Sequence, residues 1–160
     1  MFQEVLSHVH PIMVHFPIAL IIIAMCFDLF WMVTKRKVSP KQGLRLWVVA
    51  FISAWIAVGT GPEHDARGNT NVFEYHERLA DISTILAFVV VAFRAFFIFN
   101  KKDFLKLSLV AYCLLTLACS ASILAVGYFG GKMVYDQGVG VKMNGQYVNP
   151  PKTGSFDHNN

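Results

Sequence analysis

The chain is predicted to be an all-α integral membrane protein, an antiparallel four-helix transmembrane bundle with both termini outside and a short C-terminal β-hairpin. Three observations predict this. Of 160 residues, 55% are hydrophobic and only 15% charged, which is too apolar for an ordinary soluble domain of this length. Four apolar stretches, 11–34, 40–59, 72–99 and 104–129, each match the roughly 20 residues that cross a bilayer core of about 30 Å. Basic residues also alternate between connections: Lys35, Arg36, Lys37, Lys41 and Arg45 crowd the first and Lys101, Lys102 and Lys106 the third, while the second holds only Arg67 and Arg78. By the positive-inside rule the first and third loops face the cytoplasm. The formal charge of +4 is thus mainly a topology signal, whose partner is anionic membrane lipid and not nucleic acid.

What remains, 130–160, is too short for a second domain, so residues 1–160 are expected to form one membrane domain. The first stretch is expected to be a retained helix. MFQEVLSH has no basic n-region, and no A-x-A site follows the apolar run.

Helix 1 opens with Pro11 at a position suited to the first helical turn, and Pro17 in the second turn is expected to kink the entry. Ser39 and Pro40 start helix 2 in the same way. Its small residues Ala50, Ala54, Ala57 and Gly61 recur at helical spacing and mark a face of close approach. Asn71 with Glu74 three positions later resembles a capping box for helix 3, whose second turn carries His76 followed by Ala80, Ser83 and Ala87. Helix 4 is rich in Ala, Ser and Gly and is expected to close at Gly127, Gly130 and Gly131. Beyond it, Asn144 and Gly145 between VGVKM and QYV are a strong hairpin signal.

Two charged residues lie deeper within the predicted spans than the rest, Asp28 and Arg94, and each is costly in hydrocarbon unless paired or able to snorkel. A structural ion pair, or Asp28 with Arg45, is expected in preference to a proton relay, with Arg94 near enough to the boundary to snorkel. Cys26, Cys113 and Cys119 form no C-x-x-C or C-x-x-C-H pattern, so they point to small apolar packing and not to covalent haem or an iron–sulfur cluster.

All six histidines, His8, His10, His15, His64, His76 and His158, fall on the predicted outer side. His15 lies four residues past Pro11 and His76 five past Asn71, so at about 1.5 Å per residue both sit roughly 6 to 8 Å into their helices. Helices 1 and 3 of an up-and-down bundle are diagonal across the core. Two imidazoles at matching depth on them suit a bis-histidine haem. His10 and His15 are five apart, about 140° around a helix, so they do not share a face. His10 with His64 is expected as a second pair or as support for the first. The same cluster also suits copper, zinc or non-haem iron, with Glu63, Asp65, Glu74, Glu77 and Asp81 as completing or supporting carboxylates.

HPIMVHFPIAL at the entry and GGKMVYDQGVGV at the exit resemble a bacterial family of four-helix membrane proteins filed as domain of unknown function two-two-three-one. That family shows an HP-x-x-x-HFPI entry, a glycine-rich end to the second span, a histidine opening the third, and a G-x-x-VY-x-x-GVGV exit. The matching residues are His10, Pro11, His15, Phe16 and Pro17, then Gly59 and Gly61, His76, and finally Gly131, Val134, Tyr135 and Gly138 to Val141. The likeness spans roughly 8–141. Members joined to Rieske-type or c-type cytochrome domains imply membrane electron transfer, and since this sequence contains neither, the resemblance implies a separate redox partner.

The function expected from these residues is that of a small b-type cytochrome-like electron-transfer protein, or the haem-bearing subunit of a larger respiratory complex in the bacterial inner membrane. One haem b is expected, two at most. His15 and His76 would be axial ligands near the outer face, supported by His10 and His64. Arg67, Arg78 and Lys132 would meet the haem propionates. Electrons would pass to a periplasmic or membrane redox protein, or come from a quinol. The alternative is a non-redox accessory subunit, or a non-haem metal-binding transport component.

Overall fold

The computed structural model describes residues 9–35, 38–61 and 70–149. It is mostly helical: α1 is His15–Lys35, α2 Leu44–Gly59, α3 Thr70–Phe99 and α4 Lys106–Tyr135, followed by strands β1 (Lys142–Met143) and β2 (Gln146–Tyr147). Residues 9–13 are helical ahead of α1, with a break at Val14. Pro17 has no N–H to donate to the Met13 carbonyl, so the interruption falls where the kink was expected. Three helices, Val9–Lys35, Asn71–Phe99 and Lys106–Tyr135, are long and apolar enough to cross a membrane.

Two boundaries differ from expectation. Helix α2 starts at Leu44 and not at Pro40, so its 16 residues span about 24 Å. The turn before it ends at Gly43, whose φ of +75° is left-handed, and the carbonyls of Pro40 and Gln42 accept hydrogen bonds from Arg94. Helix α4 runs through Gly130 and Gly131 to Tyr135, because an internal glycine costs a helix about 1 kcal/mol without ending it. The stop comes where the N–H groups of Gly138 and Val139 donate to Val134 and Met133. The expected hairpin is present. Lys142 pairs with Tyr147 and Met143 with Gln146, and Asn144 and Gly145 both have positive φ, as a two-residue I′ turn requires.

Each helix packs on two others: α1 on α2 and α4, and α3 on α2 and, most extensively, α4. The buried stripe of α1 is Pro17, Ile21, Ala24 and Asp28. That of α2 includes Trp47, Ala50, Ala54 and Ala57, so the small-residue face faces inward as expected. Ser83, Ala87, Val90 and Arg94 are buried on α3 and Tyr112, Cys119 and Ile123 on α4. Ser83 Oγ donates to Ser122 Oγ at 2.8 Å, tying α3 to α4. Outward lie Ile23, Phe30, Trp55, Ile85, Phe88, Phe96, Leu114 and Leu124, an apolar exterior that suits lipid and not water.

At one end of this core all four helices meet on a single ionic cluster. Arg94 is wholly buried and its NH2 donates to Asp28 Oδ1 at 2.5 Å. Trp47 Nε1 donates to Asp28 Oδ2 at 2.8 Å, and the Tyr112 hydroxyl donates to the same oxygen. Arg94 Nε lies 2.9 Å from the Tyr112 oxygen, and the guanidinium carbon stands 4.9 Å from the Tyr112 ring centroid. The ion pair was expected, but two details are corrected. Asp28 pairs with Arg94 while Arg45 is exposed, and Arg94 does not snorkel, because a carboxylate, a hydroxyl and two carbonyls satisfy it inside the core.

Gly43 faces this cluster so closely that an added Cβ would stand 3.2 Å from Asp28 Oδ1 and 3.3 Å from the Phe27 ring. Gly43→Ala is therefore expected to destabilise the fold by about 1–2 kcal/mol through left-handed strain and crowding, read as a lower thermal midpoint in detergent. Arg94→Met strands a buried carboxylate and is expected to cost about 3–5 kcal/mol, whereas Asp28→Leu/Arg94→Met recovers most of that loss. A double variant no more stable than Arg94→Met would contradict this account.

Candidate functional site

At the opposite end, the start of the first helical segment, the end of α2, the start of α3 and the end of α4 converge. His10 Nδ1 donates to the carbonyl of Ala57 on α2 at 3.1 Å, and lies 3.5 Å from Thr60 Oγ1. His76 Nδ1 donates to the carbonyl of Val126 on α4 at 3.1 Å. Both rings are half-buried. Together they border one cavity of about 30 Å³, with Val14, Pro17, Ile18, Ala54, Ala80 and Thr84 among its other walls.

The hydrogen bonds fix the chemistry of the rings. A carbonyl only accepts, so each Nδ1 carries its proton, and in the neutral imidazole Nε2 is left with a free lone pair. This is the tautomer and the backbone tether found in metal-binding histidines. Gly130 makes room for it: a Cβ there would stand 3.2 Å from His76 Cε1, so a side chain at this position would press the ring away from the α4 backbone.

The structure brings His10, not His15, into the cavity with His76. His15 is exposed, and its Nδ1 donates to Pro11, a carbonyl of its own helix entrance, at 2.6 Å. His15 lies five residues beyond His10, which carries it deeper along the helix and about 140° around it, away from the cavity. Arg78 is exposed and paired with Glu74, and Lys132 approaches Asp136 at 3.8 Å and the Tyr128 ring at 5.9 Å, so neither borders the cavity. Glu77 and Asp81 are likewise exposed. His64, Arg67, Glu63 and Asp65, and the terminal His8 and His158, lie outside the described residues. Among the described residues no three His, Cys, Asp or Glu side chains converge as a metal cluster.

Two imidazoles of this tautomer on neighbouring helices, bordering one cavity, are a donor set whose chemistry suits a transition-metal ion. A cavity of about 30 Å³ has room for an ion or a water, a water needing roughly 10–15 Å³ of such space, and a macrocycle would need the helix ends to move apart.

Histidine ¹⁵N NMR checks the tethers: His10 and His76 are expected as Nδ1–H tautomers with unprotonated Nε2. Gly130→Ala is expected to shift the His76 signals and leave those of His15 in place. An Nε2–H form at His10 or His76 would contradict the assignment.

A family model described as Predicted membrane protein (DUF2231) matches residues 7–143. No curated protein and no solved structure matches the chain.

Proposed function

This chain belongs to the DUF2231 family of predicted membrane proteins, and we propose that it is a membrane-embedded electron-transfer or metal-handling subunit whose centre is held by His10 and His76. The observation that carries this is the pair of tethers. Two imidazoles from different helices each spend Nδ1 on a neighbouring helix's carbonyl and keep Nε2 for a ligand, beside a shared cavity. Polar side chains at such depth are costly unless they have work to do.

The size of the cavity favours a single transition-metal ion over the haem expected from sequence. Imidazole suits copper, zinc and iron, and copper or iron would give one-electron chemistry with a periplasmic or membrane partner. A b-type haem would use the same two residues only if the helix ends moved apart. Zinc would support metal handling instead.

The same proposal includes an antiparallel four-helix arrangement in the inner membrane, with the histidine end outside. It is supported by the convergence of alternate helix ends on the two polar clusters and by Lys35, Lys41, Arg45, Lys101, Lys102 and Lys106 gathering at the Asp28 end.

Elemental analysis and the visible spectrum of the purified protein test the centre. About one copper or iron per chain is expected, lost in His10→Ala and in His76→Ala and retained in His15→Ala. Haem bands that depend on His10 and His76 would restore the cytochrome assignment, and protein with neither metal nor haem after supplemented expression would leave a structural subunit. For orientation, alkaline phosphatase fused after Tyr147 is expected to be active, and fused after Lys101 inactive. The reverse result would invert the topology.

A further inference from the structure

A second cluster of donor atoms lies near the ionic end, at the interface of α1 and α4. Cys113 Sγ donates to Met32 Sδ at 3.3 Å. Both border a cavity of about 50 Å³ that Met25 also lines, one helical repeat of seven residues before Met32 on the same face of α1, with Asp28, Tyr112 and Thr116 on its other sides. Three sulfur-bearing side chains thus line one small space, two of them with their sulfurs in contact. None of them belongs to the histidine centre, and two are thioethers, which bind hard cations poorly and soft ones well.

We infer that Met25, Met32 and Cys113 form a binding site for a soft monovalent cation, Cu(I) or its analogue Ag(I). Softness alone would not separate these from other thiophilic ions, but charge does. Asp28 and Arg94 cancel each other, and the Asp28 oxygens are already taken by Arg94, Trp47 and Tyr112, so the carboxylate has no free negative charge to offer. The thiol of Cys113 is the exchangeable group. When the cation binds, an S–M bond forms, the S–H bond breaks and the proton leaves to solvent. One positive charge replaces another and the site stays neutral. A divalent ion would leave an uncompensated positive charge beside the buried guanidinium, which a low-dielectric interior disfavours. Electron count is unchanged throughout, and no oxidant or reductant is needed.

The pairing of sulfur donors here with imidazoles at the other end gives the protein two chemically distinct metal-binding ends. The test must therefore keep them apart. His10→Ala/His76→Ala protein in detergent, titrated anaerobically with Cu(I) against the competing chelator bathocuproine disulfonate, is expected to bind one equivalent. Binding should weaken by about tenfold or more, the scale on which even supporting groups affect metal sites, in Cys113→Ser and in Met32→Leu, and be unchanged in Cys26→Ser, whose thiol is exposed on the outer surface of α1. X-ray absorption of the bound copper should show sulfur as the ligand. The inference is overturned by absence of Cu(I) binding in that background, by binding that survives both Cys113→Ser and Met32→Leu, by nitrogen or oxygen coordination, or by Zn(II) binding as tightly as Cu(I). Since Met32→Leu preserves side-chain volume, loss of binding in a variant with an unchanged thermal midpoint reports the donor and not the fold.

Discussion

The fold depends on one buried charge pair. Placing Asp28 and Arg94 among apolar helices carries a large desolvation cost, and it is offset only because every polar atom of the pair finds a partner. Those partners come from everywhere: Trp47 from α2, Tyr112 from α4, and the Pro40 and Gln42 carbonyls from the turn between α1 and α2. No two helices could satisfy the pair alone. In lipid, where apolar surface gives helices little reason to prefer one another, such a cluster supplies specificity that hydrophobicity cannot. It also accounts for local details, including the delayed start of α2 and the glycine at position 43.

Once the charges are fixed, the histidines at the other end follow. Asp28 lies 18 residues after His10, and Arg94 lies 18 after His76. Core positions between them repeat at the same steps: Val14, Pro17, Ile21 and Ala24 on one chain segment, Ala80, Ser83, Ala87 and Val90 on the other. Two parallel stripes of equal length, with their lower ends bonded together, bring their upper ends to the same level. Eighteen residues span about 27 Å, close to the thickness of a bilayer's hydrocarbon core. The ionic cluster and the imidazole pair therefore stand about one hydrocarbon-core thickness apart.

The two ends differ in what they can hold. At the histidine end, backbone carbonyls hold each ring in the tautomer that leaves Nε2 free, and a glycine on α4 lets one ring approach the helix. At the charged end, the carboxylate is saturated and sulfur is the remaining donor. On the reading proposed above, imidazole nitrogen would serve borderline transition metals at the first and sulfur soft monovalent ions at the second.

By itself the sequence determined the features that depend on composition and local chemistry. Apolar length marked the helices, small residues marked the inner face of α2, and Asn144–Gly145 imposed the hairpin turn, since positive φ at both positions is a property of those residues. It also showed that Asp28 and Arg94 needed partners. Tertiary structure decided which partners, where α2 begins, and which histidine of HPIMVHFP turns inward. Counting depth from the helix starts favoured His15, whereas the buried stripe of α1, followed back from Asp28 through Ala24, Ile21 and Pro17, leads to Val14 and His10. That phase was written in the sequence, but only the long-range bond between Asp28 and Arg94 identifies the stripe as the core-facing one, because local periodicity does not say which face of an almost wholly apolar helix meets protein and which meets lipid.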